Sequence, residues 1–413
     1  MNTISSRCGA EHGLISVDQA LDRILQHVQP LDTEKLELQN ALNRYLAENI
    51  YSSINLPLFS QSAVDGYAIC AKKAIEPESE FQLIGEIRAG QQVEVQLQAE
   101  QAVRIFTGAK IPSGTTTVAR QEIVELINSS RIKIIENLKA NIDIRDVGEE
   151  IVAGQLLANE GQQLSVGVIA SLSMAGINTV EVFQYPKVAI VISGDEVAES
   201  VEDFAAGKIF DANGPLIKAW FQQAGQQVEI FHIADTKEAV QALIQKLLSS
   251  YDLILTTGGV SVGDYDFIRP VALESGFEQI FWKVKQKPGK PIFFAYLQRN
   301  DKSACYLLGL PGNPAAVYVG MQVYTSTLLN VLQGQKNQPS WFNAVLSHDL
   351  KMDARERFLR MYASFDDSVL TVKSLSRQQS HMLSNLMQAN CLVRVPAERN
   401  LSQGDMVQGL FIQ

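Results

Sequence analysis

Charge is the first scarcity in this 413-residue chain: Asp, Glu, Lys and Arg make up only 19% of it, against roughly 25% in a typical soluble protein. Apolar residues reach 46%, so global disorder is excluded. Acid outnumbers base, 45 to 35, for a formal net charge of −10. That balance argues against nucleic-acid and membrane partners and leaves room for a local basic pocket. Cysteine is sparse too. Cys8, Cys70, Cys305 and Cys391 lie far apart, with no CxxC and no Cys/His zinc spacing, so free thiols in a reducing compartment are expected. The five histidines are scattered and support no Ser/His/Asp arrangement. Neither a Walker A loop nor GxGxxG is present. No apolar core follows Arg7 and Glu11, so no secretory signal is visible and a cytoplasmic location is expected. Residues 314–335 carry no charge, but Gln322, Thr325, Ser326, Thr327 and Asn330 make them too polar for a membrane span.

At roughly 150 residues per domain the length implies about three domains. Residues 14–47 read as two helices, ISVDQALDRILQHV with Ser16 as N-cap and then LDTEKLELQNALNRYLAENI. From about 50 to 145, short alternating runs between Gly, Pro and Asn predict a mostly β module. A helical pattern follows at 165–176. After Tyr185-Pro186, compact apolar strands (KVAIVIS, VEIFHIA, YDLILTT, YLLGL) alternate with helical segments and predict a doubly wound parallel sheet. The last 75 or so residues return to short strands, a small barrel or sandwich.

In such a sheet, ligands bind beyond the carboxyl ends of the strands. Those ends carry SGDE (193–196), Asp235, TTGGVSVGDYD (256–266) and PGNP (311–314). Gly258, Gly259 and Gly263 permit close approach of a phosphate to backbone amides beside Ser261, or simply form a tight turn. Asp195, Glu196, Asp235, Asp264 and Asp266 gather carboxylates at the same edge. Asp235 also suits a helix cap; several converging acids suit Mg2+ shared with phosphate oxygens. Facing them, WKVKQKPGKP carries Lys283, Lys285, Lys287 and Lys290, with Pro288-Gly289 forcing a turn that suits a multiply charged oxyanion or, equally, a solvated hairpin. SAVDGYA (62–68) and TGAKIP (107–112) are turns that expose Asp65 and Thr107.

Taken in order, SAVDGYA, RIFTGAKIP, RDVGEEI, SGDE, TTGGVSVGDYD, KPGKP and GLPGNP resemble the molybdopterin molybdenumtransferases, the family of bacterial MoeA and the gephyrin E-domain. The resemblance runs from about residue 14 to the end. It implies insertion of molybdate into adenylated molybdopterin, with hydrolysis of the adenylate, release of AMP and assistance from Mg2+. It implies an elongated homodimer whose cleft lies between the α/β domain of one subunit and the β module of the other. The expected domains are a discontinuous helical/β domain (14–55 plus 145–183), the mostly β module (56–144), the molybdopterin-binding α/β domain (184–334) and a C-terminal β-barrel (335–413). Carried over by motif, the catalytic residues are Asp65, Glu196, Asp235 and Asp266, with Asp235 and Asp266 as the metal ligands. Thr107, Ser261, Lys283, Lys287, Lys290, Arg360 and Ser380 bind substrate. An upstream adenylyltransferase and downstream molybdoenzymes are the expected protein partners. This chain departs from the family pattern at Ala315-Ala316, where Val-Ser is common, at Ser193, Ala212 and Glu150, and in RQQS for the usual GxQGS. Other readings are a non-catalytic pterin-binding scaffold, favoured by the lost hydroxyl at residue 316, and an adenylyltransferase acting one step earlier.

Overall fold

Runs such as VAIVIS and LILTT are apolar on both faces and need cover on both. They form the centre of a six-stranded sheet. This structure, a computed structural model, describes residues 13–91, 94–194, 197–198, 208–261, 263, 266–301 and 303–412. The strands of the central sheet, numbered within it, are β1 (Val188–Ser193), β2 (Glu229–Ile233), β3 (Leu253–Thr257), β4 (Glu278–Trp282), β5 (Phe293–Gln298) and β6 (Ala304–Leu310). Their order is β2-β1-β3-β6-β5-β4. The first four are parallel, as expected; beyond them β5 is antiparallel to both its neighbours, β6 and β4, so β4 returns to the direction of the first four. The links β4–β5 and β5–β6 are too short for the crossover that a parallel neighbour requires.

Helices cover both faces. Asn213–Gln223, the long segment from Pro314 to Leu332 and the N-terminal helix Val17–His27 share one apolar cluster with β1, β3 and β6. Lys237–Leu247 and Ile268–Glu274 cover the other side through Val240, Ile244, Ile268 and Val271. Ser16 caps the N-terminal helix as expected, in a reciprocal pair with Gln19.

The second expected helix is a correction. Within 31–50 the chain forms strand Thr33–Glu37 and a 3-10 turn, Leu38–Asn40. Strand Thr33–Glu37 pairs antiparallel with Thr179–Phe183, Leu36 opposite Val180. Glu, Lys and Leu favour helix only weakly, by tenths of a kcal/mol each, and a partner strand that buries alternate side chains overrides them. The pairing joins segments from either side of the β module.

The β module is a six-stranded sheet in which Gly66–Cys70 lies between Gln101–Ile105 and Thr117–Arg120. A Cβ at Gly66 would collide with the Ala119 carbonyl oxygen, so close strand packing alone demands the glycine of SAVDGYA. The C-terminal strands close into the expected barrel: Glu356–Asp366, Val369–Ser374, Phe342–Leu346, Met406–Phe411 and Cys391–Val395, the last pairing back on the first. Strand Gln286–Lys287, from the lysine segment, adds to Glu356–Arg357 at the barrel edge. Among the described residues no helix is long and apolar enough to cross a membrane.

Candidate active site

The parallel strands β2, β1, β3 and β6 end on one edge, and three turns interlock there. Asp211 Oδ1 accepts the amides of Asn213 and Gly214 at 2.8 and 3.0 Å, opening helix Asn213–Gln223. Asn213 Nδ2 donates to the Gly312 carbonyl at 2.9 Å, tying that helix to the PGNP turn. Gly258, at φ +85°, lies so close to β1 that a Cβ would sit 2.8 Å from Ser193 Oγ. Its amide donates to the Leu310 carbonyl at 3.0 Å. The glycine pair is therefore a close approach between β1, β3 and β6 as well as a turn.

Asp266 sits where the glycine-rich loop folds back. Its Oδ2 accepts the Gly263 amide at 2.6 Å. Ser261 is exposed in the same loop. Helix Ile268–Glu274 begins just beyond and has only seven residues. Trp282 braces the loop, its Nε1 donating to the Val260 carbonyl at 3.0 Å. The indole face carries Lys283 Nζ at 4.3 Å and the Arg269 guanidinium at 4.1 Å from its ring centre. Lys283 is thus held against the loop that Asp266 closes.

Asp235 stands apart from this group. It follows β2, the edge strand, and β2 and β3 are second neighbours, about 10 Å apart at ordinary strand spacing. Val260 leaves β3 on the opposite side, where a Cβ at Gly309 of β6 would meet its Cγ1 at 2.5 Å. In strand order, β1 lies between the strand that leads to Asp235 and the one that leads to Asp266. Asp235 does not cap the next helix, because Thr236 does so, accepting the Ala239 amide at 3.3 Å. Glu196, with Asp195 and Asp264, lies outside the described residues. Among the described residues no group of three or more His, Cys, Asp or Glu is placed to hold a metal. Mg2+ takes only one or two carboxylates and completes its shell with water and phosphate oxygens, so Asp266 alone fits such an ion.

The lysine segment is built into the domain junction. The Lys285 amide donates to the Ile15 carbonyl at 2.7 Å, and the Val284 amide to the Lys290 carbonyl at 2.8 Å. Lys285 pairs with Glu398 at 2.7 Å and Lys287 with Asp353 at 2.9 Å. The Lys287 ammonium holds the Asp353 carboxyl below the usual carboxylate range. Gly289, at φ +88°, packs over Ala316, whose Cβ would lie 3.5 Å from an added Cβ. Residue 316 is 1% exposed, so the family's common serine there would lie against this turn. Lys287 and Lys290 flank that tight turn, as the Pro-Gly pair requires.

Arg360 was expected to contact an oxyanion directly, and the structure corrects this. It is 1% exposed, and its guanidinium donates to the carbonyls of Met382, Arg377 and Gln379 at 2.8, 3.1 and 3.3 Å. Burial pushes its pKa down. Arg360 instead shapes the loop that carries Ser380. The Ser380 carbonyl accepts the Ala315 amide at 3.0 Å, so this loop closes the amino end of the helix after PGNP.

Asp65 and Thr107 come together in the β module. Thr107 donates both its amide (2.9 Å) and its hydroxyl (2.8 Å) to Asp65 Oδ1. These bonds, the amide foremost, hold the Asp65 carboxyl below its ordinary range. The link is therefore present at neutral pH and lost as pH falls through the depressed pKa. Thr107→Val is expected to raise the Asp65 pKa toward the ordinary carboxylate value. Carboxyl-detected NMR titration measures it, and an unchanged pKa would show that the hydroxyl contributes nothing.

Residues 15–176 match the family model described as "MoeA N-terminal region (domain I and II)", 189–330 the "Probable molybdopterin binding domain", and 343–411 the "MoeA C-terminal region (domain IV)". The chain is 34% identical to a molybdopterin molybdenumtransferase of Haemophilus influenzae over 401 residues, 95% of this chain and 98% of that one. The chain belongs to the molybdopterin molybdenumtransferase family. A Staphylococcus epidermidis member is also 34% identical, over 97% of this chain and 96% of its own. The solved molybdopterin biosynthesis MoeA protein of Pyrococcus horikoshii superposes with a TM-score of 0.80 at 25% identity, covering 97% of this chain and 100% of that one.

Within this family fold, several residues at the site carried no readable signal. Trp282 looks like any core aromatic in the sequence, and Gln286 like a solvated residue between lysines. Asp353, 66 positions from Lys287, has no local pattern to mark it. Asn213 could have been found as the polar residue opening a helix at the ligand edge of the sheet.

Proposed function

We propose that this chain inserts molybdate into adenylated molybdopterin, hydrolysing the adenylate and releasing AMP. The observation that carries the reading is the convergence, at one strand edge, of the Gly258-Gly259 turn, the PGNP turn and Asp266, with the lysine turn packed onto Ala316. The ligand is an anion twice over, a pterin phosphate and a tetrahedral dianion. Lys283, Lys287 and Lys290 supply cations in an otherwise acidic chain, and preorganised charges of this kind stabilise developing negative charge without reorganising. Asp266 would hold Mg2+, which supplies Lewis-acid neutralisation at the phosphoanhydride. Ser380 and Ser261 offer hydroxyls at the rim of the same edge.

Asp65 and Thr107 are proposed to act across a homodimer cleft. Helix Val166–Met174 supports the dimer: it is apolar yet buries only Leu172, with Val166 75% exposed. The proposed setting is the cytoplasm, between an adenylyltransferase that supplies the substrate and the molybdoenzymes that receive the product.

The test is AMP release by purified protein given adenylated molybdopterin, Mg2+ and molybdate. Molybdate-dependent release is expected. Binding of the pterin with no release would make the protein a scaffold, and consumption of ATP with plain molybdopterin would place it one step earlier.

A further inference from the structure

The long helix that begins at PGNP is not continuous. Pro314–Gly320 and Ser326–Leu332 are joined by a π turn, Met321–Thr325. Such a turn admits an extra residue and rotates the next helical segment by about 100°, and π turns are frequent at functional sites. Tyr324 lies inside it. Its side chain is fully buried within the cluster shared by the N-terminal helix, the sheet and the barrel. In that apolar setting its hydroxyl donates to Gln286 Oε1. Gln286 is also fully buried. Its Nε2 donates to the Pro288 carbonyl at 3.0 Å, and its own carbonyl accepts from Arg355 at 3.3 Å. Gly289 folds over the same amide, since a Cβ there would lie 3.0 Å from Gln286 Nε2.

We propose that Tyr324 and Gln286 are positioning residues that set the shape of the Lys287-Pro288-Gly289-Lys290 turn for its anionic ligand. The proposal rests on the reading that these lysines receive substrate anions. A buried polar pair contributes little net stability over a well-packed apolar pair, and it is costly when one member is left unsatisfied. What this pair does that an apolar pair could not is fix a backbone carbonyl, Pro288, one residue from each of Lys287 and Gly289. The chain of contacts runs from the π turn through two side chains to the Pro288 carbonyl in the middle of the lysine turn. The pair therefore acts where the lysines receive substrate, on binding before chemistry.

The experiment compares wild type, Tyr324→Phe, Lys287→Met and the double variant. Tyr324→Phe is expected to raise KM for adenylated molybdopterin about tenfold, the worth of roughly 1.4 kcal/mol, and to leave kcat within about twofold. In the Lys287→Met background the same change should add little, because both act through one turn. Additive effects, or a fall in kcat at constant KM, would overturn the proposal. Amide hydrogen exchange without ligand supplies an independent arm: Tyr324→Phe should speed exchange at 285–290 about tenfold and leave barrel strand Cys391–Val395 unchanged. Unchanged exchange at 285–290 overturns the positioning role whatever the enzyme does. Wild-type protein that releases no AMP sinks the proposed reaction instead, and the exchange result still decides the positioning.

Discussion

Asp266→Asn is expected to lower the rate of AMP release by about 10²- to 10³-fold while leaving pterin binding within a few-fold, the usual effect of removing one electrostatic stabiliser from a reacting centre. The substitution isolates charge from shape. Asp266 Oδ2 accepts the Gly263 amide at 2.6 Å, and the Asn side-chain carbonyl can accept the same bond, so the loop keeps its fold. What is lost is the carboxylate proposed to hold Mg2+ against the phosphoanhydride. Asp235 follows the edge strand, two strands from the one that runs into the Asp266 loop. Asp235→Asn should accordingly cost much less. Equal losses in the two variants, read as single-turnover AMP release at saturating Mg2+, would restore a shared site. Full activity in Asp266→Asn would remove it from the chemistry.

Arg360→Ala is expected to destabilise the C-terminal domain by about 3 kcal/mol or more, since several buried carbonyls lose their donor at once and each costs roughly 1–3 kcal/mol unsatisfied. The reason lies in the barrel. Residues 358–361 of strand Glu356–Asp366 are buried on both faces. Leu359 and Met361 point into the barrel cluster, whereas Phe358 belongs to the cluster of the α/β sheet. Arg360, in phase with Phe358, faces outward beneath the 376–385 loop, where Gln378 and Asn385 add bonds to Arg360 and to the Ser376 and Arg377 carbonyls. Arg360→Lys should recover little, because an ammonium cannot reproduce the planar fork that reaches Met382, Arg377 and Gln379. Denaturant unfolding measures the loss. Unchanged stability with abolished pterin binding would instead return Arg360 to direct contact with the oxyanion.

Much of this site is legible along the chain because it is made of turns. SGDE, TTGGVSVG, PGNP and KPGKP are local chemistry, with glycine where φ is positive and proline where the chain must fold back. Apolar runs place the first three at strand ends, and parallel topology puts those ends on one edge. What the residues do inside the turns is less legible. The RFLR arginine is taken for an oxyanion contact because the local pattern does not reveal that residues 358–361 are buried on both faces. Gln286 reads as solvated because nothing local shows that the barrel and Tyr324 close over it.

The residues alone determined the parallel strands, the short C-terminal strands and the inventory of turns, since each follows from periodicity or turn chemistry within a dozen positions; the order of motifs along the whole chain supplied the family and, with it, the barrel. Only the tertiary structure decided which charges face the ligand edge. Strand order put β1 between the strands that lead to Asp235 and Asp266, pairing with Thr179–Phe183 made a strand of Thr33–Glu37, and the 376–385 loop buried Arg360. The physical reason is the same in each case: burial and distance are properties of neighbours that arrive from far along the chain, and a local pattern carries no record of them.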